Sequence, residues 1–414
     1  MPCAIHTEKQ ERGKKQCYRP LHHPKCNTRP PLISTSHWQL ILWYMGTIGS
    51  LVFLPFVAAV LSDSGQSNAE IARMMIWMPI ALTLGAPAWS WLADKTGKAD
   101  WVLKGSSTLA LLAMLAFFWV DTPALQTLCL ATLAMARAPF GPLGDALTLK
   151  RLGGDKNSYG QIRMWGSIVY FIAAFAAGAL RTTYPHAPLW MGCGLIVLAI
   201  WFCWTLPSEE FRIPKPPKGI LKPLLRSPLI WLFLFLATLH GITITTYDNF
   251  FSLHIEKLGL SPSVTGMAIA TGVIAEVVVL ALGKPLLQRF GAVWLILVGV
   301  ASSCPRFLCT GYVTAPEALI LWQSLHGLGF GAFWIGGVAF LNRVAPPAAP
   351  NAAQSLLPAS TFGAGYLCSL ALASVVFQWT DPATLFQALG LGSILTICAT
   401  ILFLKQAKAQ YPDL

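Results

Sequence analysis

PSEEFRIPKPPKGILKPLLRS, Pro207 to Ser227, is a long polar interruption between two strings of apolar segments. Its prolines and its five basic residues, Arg212, Lys215, Lys218, Lys222 and Arg226, suit a linker in water and not a helix in hydrocarbon. Working outward from it, six apolar segments precede it: Trp38 to Leu61, Ile71 to Leu92, Trp101 to Val120, Leu125 to Ala146, Met164 to Leu180 and Leu189 to Thr205. Six follow: Leu229 to Phe250, Val264 to Leu282, Val293 to Val313, Leu319 to Leu341, Gln354 to Phe377 and Phe386 to Leu404. Each approximates the roughly 20 residues that a helix needs to cross a bilayer. The expectation is an all-α integral membrane protein of twelve transmembrane helices in two parallel six-helix halves. The halves are 37–206 and 229–405, joined by a linker over 207–228, with cytoplasmic tails at 1–36 and 406–414.

Composition agrees with that class. Of 414 residues 55% are hydrophobic and 11% charged, with a mean hydropathy of +0.58. A soluble domain would carry about 25% charged residues. The net charge of +12 does not point to nucleic acid, because the basic residues lie at segment ends and in the first 36 residues instead of forming a stripe. With the N-terminus inside, only Arg73, Arg181 and Lys257 of the 29 Lys and Arg fall outside, and Arg137 and Arg306 fall within spans. That bias places both termini in the cytoplasm. The basic, Pro-containing tail lacks the apolar core of a signal peptide and reads as disordered. Seven of the ten cysteines sit in apolar segments as small hydrophobes, and Cys17, His22, His23 and Cys26 match no zinc spacing, so neither disulfides nor a metal site are expected.

An internal repeat supports the division. LADKTGK (Leu92 to Lys98) follows the second segment and LLQRFG (Leu286 to Gly291) the eighth. Gly97 and Gly291 lie 194 residues apart, close to the 191 between Trp38 and Leu229. Two parallel six-helix units produce such an offset.

Charges inside the spans mark candidate sites, since an ionisable group in a membrane is costly unless it is paired or lines a water-filled cavity. The stretch PFGPLGDALTLKRLGGDKNSYGQIRMWGSIVY (Pro139 to Tyr170) puts Asp145 and Arg163 at facing helix ends joined by a short basic loop. Spacing leaves open whether they bind a solute or clamp two helices. Arg306, deep within LVGVASSCPRFLCTGYV (Leu297 to Val313), needs a counter-charge, and Glu276 is the nearest by topology. His326 is a core histidine or a proton relay. Asp248, after Tyr247, is a reserve carboxylate that faces a cavity or the interface. Arg137 lines a cavity or pairs with Asp121.

LADKTGK, with Asp94, Lys95, Gly97 and Lys98, resembles the loop signature of the major facilitator superfamily, which implies a gating role for these residues. Ser90 stands where that signature begins with glycine, and Gln288 holds the acidic position in the second copy. FLPF (Phe53 to Phe56), PLGDAL (Pro142 to Leu147), YGQIRMWGS (Tyr159 to Ser167) and IAEVV (Ile274 to Val278) resemble the phenylpropionate permease branch, with lactose permeases and nucleoside symporters more distant. The resemblance implies a solute site of Asp145, Arg163 and Tyr170, walled by Trp165, Phe53 and Phe56. It also implies a proton-coupling group of Glu276, Arg306 and His326, with Asp248 in reserve. Gln323 and Gly329 replace a lysine and a proton-carrying glutamate of the lactose permeases. The implied function is proton-coupled symport of a small organic solute by alternating access in the bacterial inner membrane. An aromatic carboxylate is the preferred solute and a nucleoside or sugar the alternative. No cofactor beyond the proton gradient, no nucleic-acid partner and a monomer are expected. No GxxxxGK[ST] loop is present to support ATP-driven pumping, and an enzyme or receptor is the remaining class.

Overall fold

The computed structural model describes residues 35–152, 156–205, 219, 222–345 and 353–412, and its elements are all helices. The expected disordered tail up to residue 34 and nearly all of the linker up to residue 221 lie outside the described residues. Among the described residues, eleven helices are long and apolar enough to span a membrane. They are α1 (Trp38–Asp63), α2 (Asn68–Thr96), α3 (Ala99–Trp119), α5 (Tyr159–Arg181), α6 (Ala187–Thr205) and α7 (Pro228–Lys257), then α8 (Pro262–Ala281), α9 (Ala292–Tyr312), α10 (Pro316–Val344), α11 (Leu356–Val376) and α12 (Pro382–Gln410). The twelfth, α4, is two helices in sequence, Pro123–Arg137 and Phe140–Arg151, broken at Ala138 and Pro139. A proline there removes a hydrogen-bond donor and crowds the preceding turn, which is why one apolar segment folds as two pieces.

The boundaries follow from local chemistry. Pro123, Pro228, Pro262, Pro316 and Pro382 open five of the spans, where a missing N–H costs nothing. Ser67 and Glu70 form a reciprocal capping box at the start of α2. Asp381 caps α12 by accepting the Thr384 N–H at 2.8 Å, and that bond holds its carboxyl below the usual range. α2 ends at Gly97 with φ 68°, and Gly291, its counterpart in the repeat, has φ 79°. Both turns need a backbone conformation that only glycine adopts cheaply.

Large apolar side chains such as Leu84, Leu112, Ile172, Phe235 and Leu395 stay exposed on the bundle's surface, as a lipid-facing helix requires. Exposed tryptophans cluster near helix ends, including Trp101, Trp119, Trp190, Trp231 and Trp379, where amphipathic rings meet the membrane interface.

Alternate connections define two ends of the bundle. One end, the tail end, carries the start of α1, the end of α12 and the α2–α3 loop, and the far end carries the α1–α2, α5–α6 and α7–α8 loops. At the far end the first and last six helices are joined. Arg181, at the end of α5 and only 4% exposed, donates from Nε and Nη2 to Glu256 of α7 at 2.7 and 3.0 Å, and from Nη2 to Asp63 of α1 at 2.9 Å. Sequence reading places Arg181 on the outer side, just past the end of the fifth segment. Its burial follows from the small-residue run before it: a Cβ on Gly178 would lie 2.8 Å from Gly266, so α5 and α8 approach backbone to backbone. Below this, Val52, Phe56, Ala173, Ala174 and Ala177 pack against Ile269 across the same seam. Ser252 also donates to the Pro55 carbonyl.

A second buried charge pair lies within α3. Lys104 of α3, 5% exposed, sits 3.5 Å from Asp100 with the rings of Trp101 and Trp204 at 5.1 and 5.5 Å. Two indole faces compensate part of what the ammonium loses in leaving water.

A candidate solute and proton site between the halves

A cavity of about 160 Å³, room for on the order of ten waters, opens between the halves. α1 and α5 contribute Pro55 and Tyr170, and all the other lining residues come from α7 to α11. Tyr247, Asp248 and Phe251 share one face of α7; Thr265, Gly272 and Glu276 belong to α8, Arg306 to α9, His326 and Phe330 to α10, and Phe362 to α11.

Irregular winding shapes these walls. α1 tightens to a 3₁₀ helix over Ser50–Phe56 around Pro55. α10 passes through a 3₁₀ turn at Gln323–Leu325 and a π turn at Gly327–Ala332, and α11 has a π turn at Ala359–Gly365. Such turns are uncommon and concentrate at functional positions. A Cβ on Gly327 would meet the backbone of Ala275 at 2.4 Å. Glycine there lets α10 lie on α8, which sets His326 beside Glu276.

Arg306 is 2% exposed. Its Nε donates to Gln323 Oε1 at 2.8 Å, and its guanidinium lies over the Tyr247 ring at 4.2 Å. Gln323 is itself oriented, its amide donating to Thr310 Oγ1 at 3.2 Å and to the Leu319 carbonyl at 3.3 Å. The counter-charge expected at Glu276 is not in contact with the arginine. Glu276 instead sits 3.5 Å from His326 Nε2, because the close contact of α8 with α10 takes the carboxylate toward α10.

Four polar atoms around this cavity make no hydrogen bond of good geometry within the protein: Arg306 Nη2 and Tyr247 Oη, which belong to neighbouring side chains, Thr265 Oγ1 and His326 Nδ1. A buried donor left without a partner costs about 1–3 kcal/mol, more when charged. Four in one cavity make a surface that gains from a polar guest. Aromatic rings line the same cavity: Phe330 stacks on His326 at 5.7 Å and, behind the lining, on Trp334 at 5.4 Å, with Phe362 tilted against Phe330 at 6.2 Å.

Of the residues singled out in the sequence, Tyr170, Asp248, Glu276, Arg306 and His326 therefore line one cavity. Asp145 and Arg163 meet elsewhere, nearer the tail end, at 2.9 Å. Tyr44 donates to the other Asp145 oxygen at 2.7 Å, and Arg163 reaches the Tyr159 hydroxyl at 2.7 Å. The Arg163 side chain is 50% exposed. Trp165 is 37% exposed and does not line the cavity. Phe53 and Phe56, expected as walls, are packed in the core at 1% and 0% exposure, because the 3₁₀ winding presents Pro55 between them to the cavity instead. Asp94, Lys95 and Lys98 surround the Gly97 turn, with Lys95 over the Trp91 ring at 4.8 Å. Arg137 binds neither cavity nor Asp121: it donates to Ser50 Oγ and to the Thr47 carbonyl, both at 2.7 Å, where α1 changes winding.

Tyr247, Thr265, Phe330 and Phe362 went unmarked in the sequence. Uncharged residues in apolar helices carry no signal until a neighbour gives them a role, and Tyr247 declares itself only through the arginine on its ring.

Comparisons with known proteins agree on what this architecture is. The model of the MFS_1 like family matches residues 37–388. The uncharacterized transporter YwbF of Bacillus subtilis (strain 168) is 24% identical over 380 residues, covering 89% of this chain and 92% of its own. The probable 3-phenylpropionic acid transporter of Escherichia coli (strain K12) is 24% identical over 321 residues, 76% of this chain and 83% of its own. The crystal structure of the nucleoside transporter NupG superposes with a TM-score of 0.79 at 19% identity, covering 90% of this chain and all of NupG. A twelve-span helical bundle with a cavity between its halves, matched along most of its length by membrane transporters, belongs to the MFS_1 like family of the major facilitator transporters.

Proposed function

We propose that this chain is a proton symporter of the bacterial inner membrane that carries a small aromatic carboxylate, such as 3-phenylpropionate, by alternating access. The observation that carries this reading is Arg306 Nη2, a buried cationic donor with no well-formed hydrogen bond, in a cavity that stacked aromatic rings also line. A guanidinium gives a carboxylate charge-assisted hydrogen bonds, and the rings take the aryl group. A relative named as a probable 3-phenylpropionic acid transporter supports the choice of solute.

Charge balance supplies the coupling. One guanidinium faces two carboxylates, Asp248 and Glu276, in the same cavity. A solute anion would add a third negative charge in a poorly screened site. A proton on one carboxylate removes that repulsion, so binding of solute and binding of proton favour each other, and linkage makes the preference mutual. Glu276 is the carrier, with His326 beside it as relay or hydrogen-bond partner. Asp145 and Arg163, already satisfied by each other and by two tyrosines, serve as a helix clamp.

The far end, joined through Arg181, corresponds to the periplasmic side if the termini are cytoplasmic, which supports an inward-facing arrangement. Opening that side requires Arg181 to leave Glu256 across the seam, while the Asp94 to Lys98 turn closes the other side.

Counterflow in proteoliposomes tests the reading. Labelled 3-phenylpropionate should exchange and be competed by other aryl carboxylates. Transport of nucleosides or sugars, with aryl carboxylates neither moving nor competing, would reject it. That outcome is the second reading: Asp248 and Glu276 can also accept hydrogen bonds from a neutral solute's hydroxyls.

A further inference from the structure

His240 takes no part in the cavity, yet its ring is fixed on every side. It lies on α7, 1% exposed, with Nε2 2.7 Å from the Gly329 carbonyl, Nδ1 3.5 Å from Ser303 Oγ and the Phe333 ring tilted over it at 4.3 Å. A carbonyl only accepts, so Nε2 carries the proton and donates. Gly329 is in the π turn of α10, Gly327–Ala332. A π turn offsets the regular backbone pairing, and a carbonyl left unpaired inside a bundle is costly. An outside donor aimed at that carbonyl favours this winding over a regular helix.

The position of the turn gives the bond its consequence. His326 immediately precedes it and Phe330 lies within it, and both line the cavity. Rewinding the turn would rotate these two side chains relative to Glu276 on α8 and to Arg306 on α9.

We propose that His240 is a positioning residue: through its hydrogen bond to Gly329 it holds the π turn of α10 and thereby sets His326 and Phe330 for solute and proton. The proposal rests on the reading of the cavity as the transport site, so its test includes a readout that needs no solute. The glutamine amide matches the reach of imidazole Nε2, while the asparagine amide falls short of Gly329.

Purified His240→Gln and His240→Asn are compared for 3-phenylpropionate binding and for the ¹⁵N-histidine NMR signal of His326, assigned with His326→Gln. His240→Gln should bind within about twofold of the parent and keep the His326 signal. His240→Asn should lose about tenfold in affinity, the scale of one lost hydrogen bond, and shift the His326 signal. Should His240→Asn fail to fold, His240→Phe removes the donor while keeping the ring volume against Phe333. The proposal is overturned if the folded donor-less variant leaves the His326 signal in place, or if His240→Gln shifts it equally. If the parent itself does not bind 3-phenylpropionate, the solute assignment fails while the NMR comparison still decides the role of His240.

Discussion

At the tail end of the bundle Asp145 has a partner on each oxygen, Arg163 at 2.9 Å and Tyr44 at 2.7 Å. In the cavity, Arg306 has one well-formed hydrogen bond, to Gln323, the Tyr247 and Phe307 rings at 4.2 and 5.3 Å, and a terminal nitrogen, Nη2, that makes no hydrogen bond of good geometry. Both clusters are charged residues in apolar helices and looked alike in the sequence. They differ in exposure and in saturation: Arg163 is half exposed and paired, Arg306 buried and under-paired. A half-exposed, satisfied pair adds little beyond about 0–1 kcal/mol and needs no guest. A buried, unsatisfied cation is costly in the solute-free protein, and a complementary anion recovers that cost. Saturation separates a clamp from a binding site better than charge does.

Removing the guanidinium is the strongest test of the difference. Arg306→Ala should weaken aryl carboxylate binding on the order of a hundredfold or more, within the roughly 2–5 kcal/mol typical of truncating one partner of a buried charge contact. Isothermal titration on purified protein reads it, and retained affinity would show that the arginine is structural.

Coupling comes next. Glu276→Gln mimics a permanently protonated carboxyl, so solute exchange should persist while accumulation driven by an acidic outside is lost. A variant that still concentrates solute under that gradient places the proton elsewhere, with Asp248 the next carboxylate in the cavity.

Arg181→Gln should have an intermediate effect. It leaves Asp63 and Glu256 facing each other without their cation, and like charges at the seam favour opening of the far end. Cysteines placed near the far end should label faster in this background, severalfold by a shift of about 1 kcal/mol. Unchanged labelling would show that the α5–α8 backbone contact alone closes that end.

The smallest effect is expected at the clamp. Arg163→Lys keeps the charge and loses the planar fork, so the melting temperature should fall by only a few degrees, as for an exposed pair.

Much of this architecture could be read before the fold was seen, because a membrane imposes its rules on composition. Segment length, the polar break at Pro207 to Ser227 and the repeated turn glycines Gly97 and Gly291 each report a physical constraint on the local chain. α4 was read as one span because Pro139 sits among apolar residues that hide the break. The site was visible where it is charged: Glu276, Arg306, His326 and Asp248 stand out of apolar text. What remained hidden depends on winding and on partners. The 3₁₀ winding within α1 that packs Phe53 and Phe56 into the core and turns Pro55 to the cavity leaves no mark on the hydropathy of its segment, and the contact that gives Glu276 to His326 instead of Arg306 and the burial of Arg181 arise between helices distant in sequence. No local pattern records them.

The central claim is that the solute's carboxylate is held by Arg306 and not by Arg163. Binding of 3-phenylpropionate to purified Arg306→Lys and Arg163→Lys, measured side by side with their melting temperatures, tests it most directly. Both substitutions keep the charge and remove the planar donor pair. The expected result is at least about a tenfold loss of affinity in Arg306→Lys, consistent with a lost charge-assisted hydrogen bond, with Arg163→Lys within about twofold of the parent. The reverse pattern, affinity lost in Arg163→Lys and kept in Arg306→Lys, would contradict it.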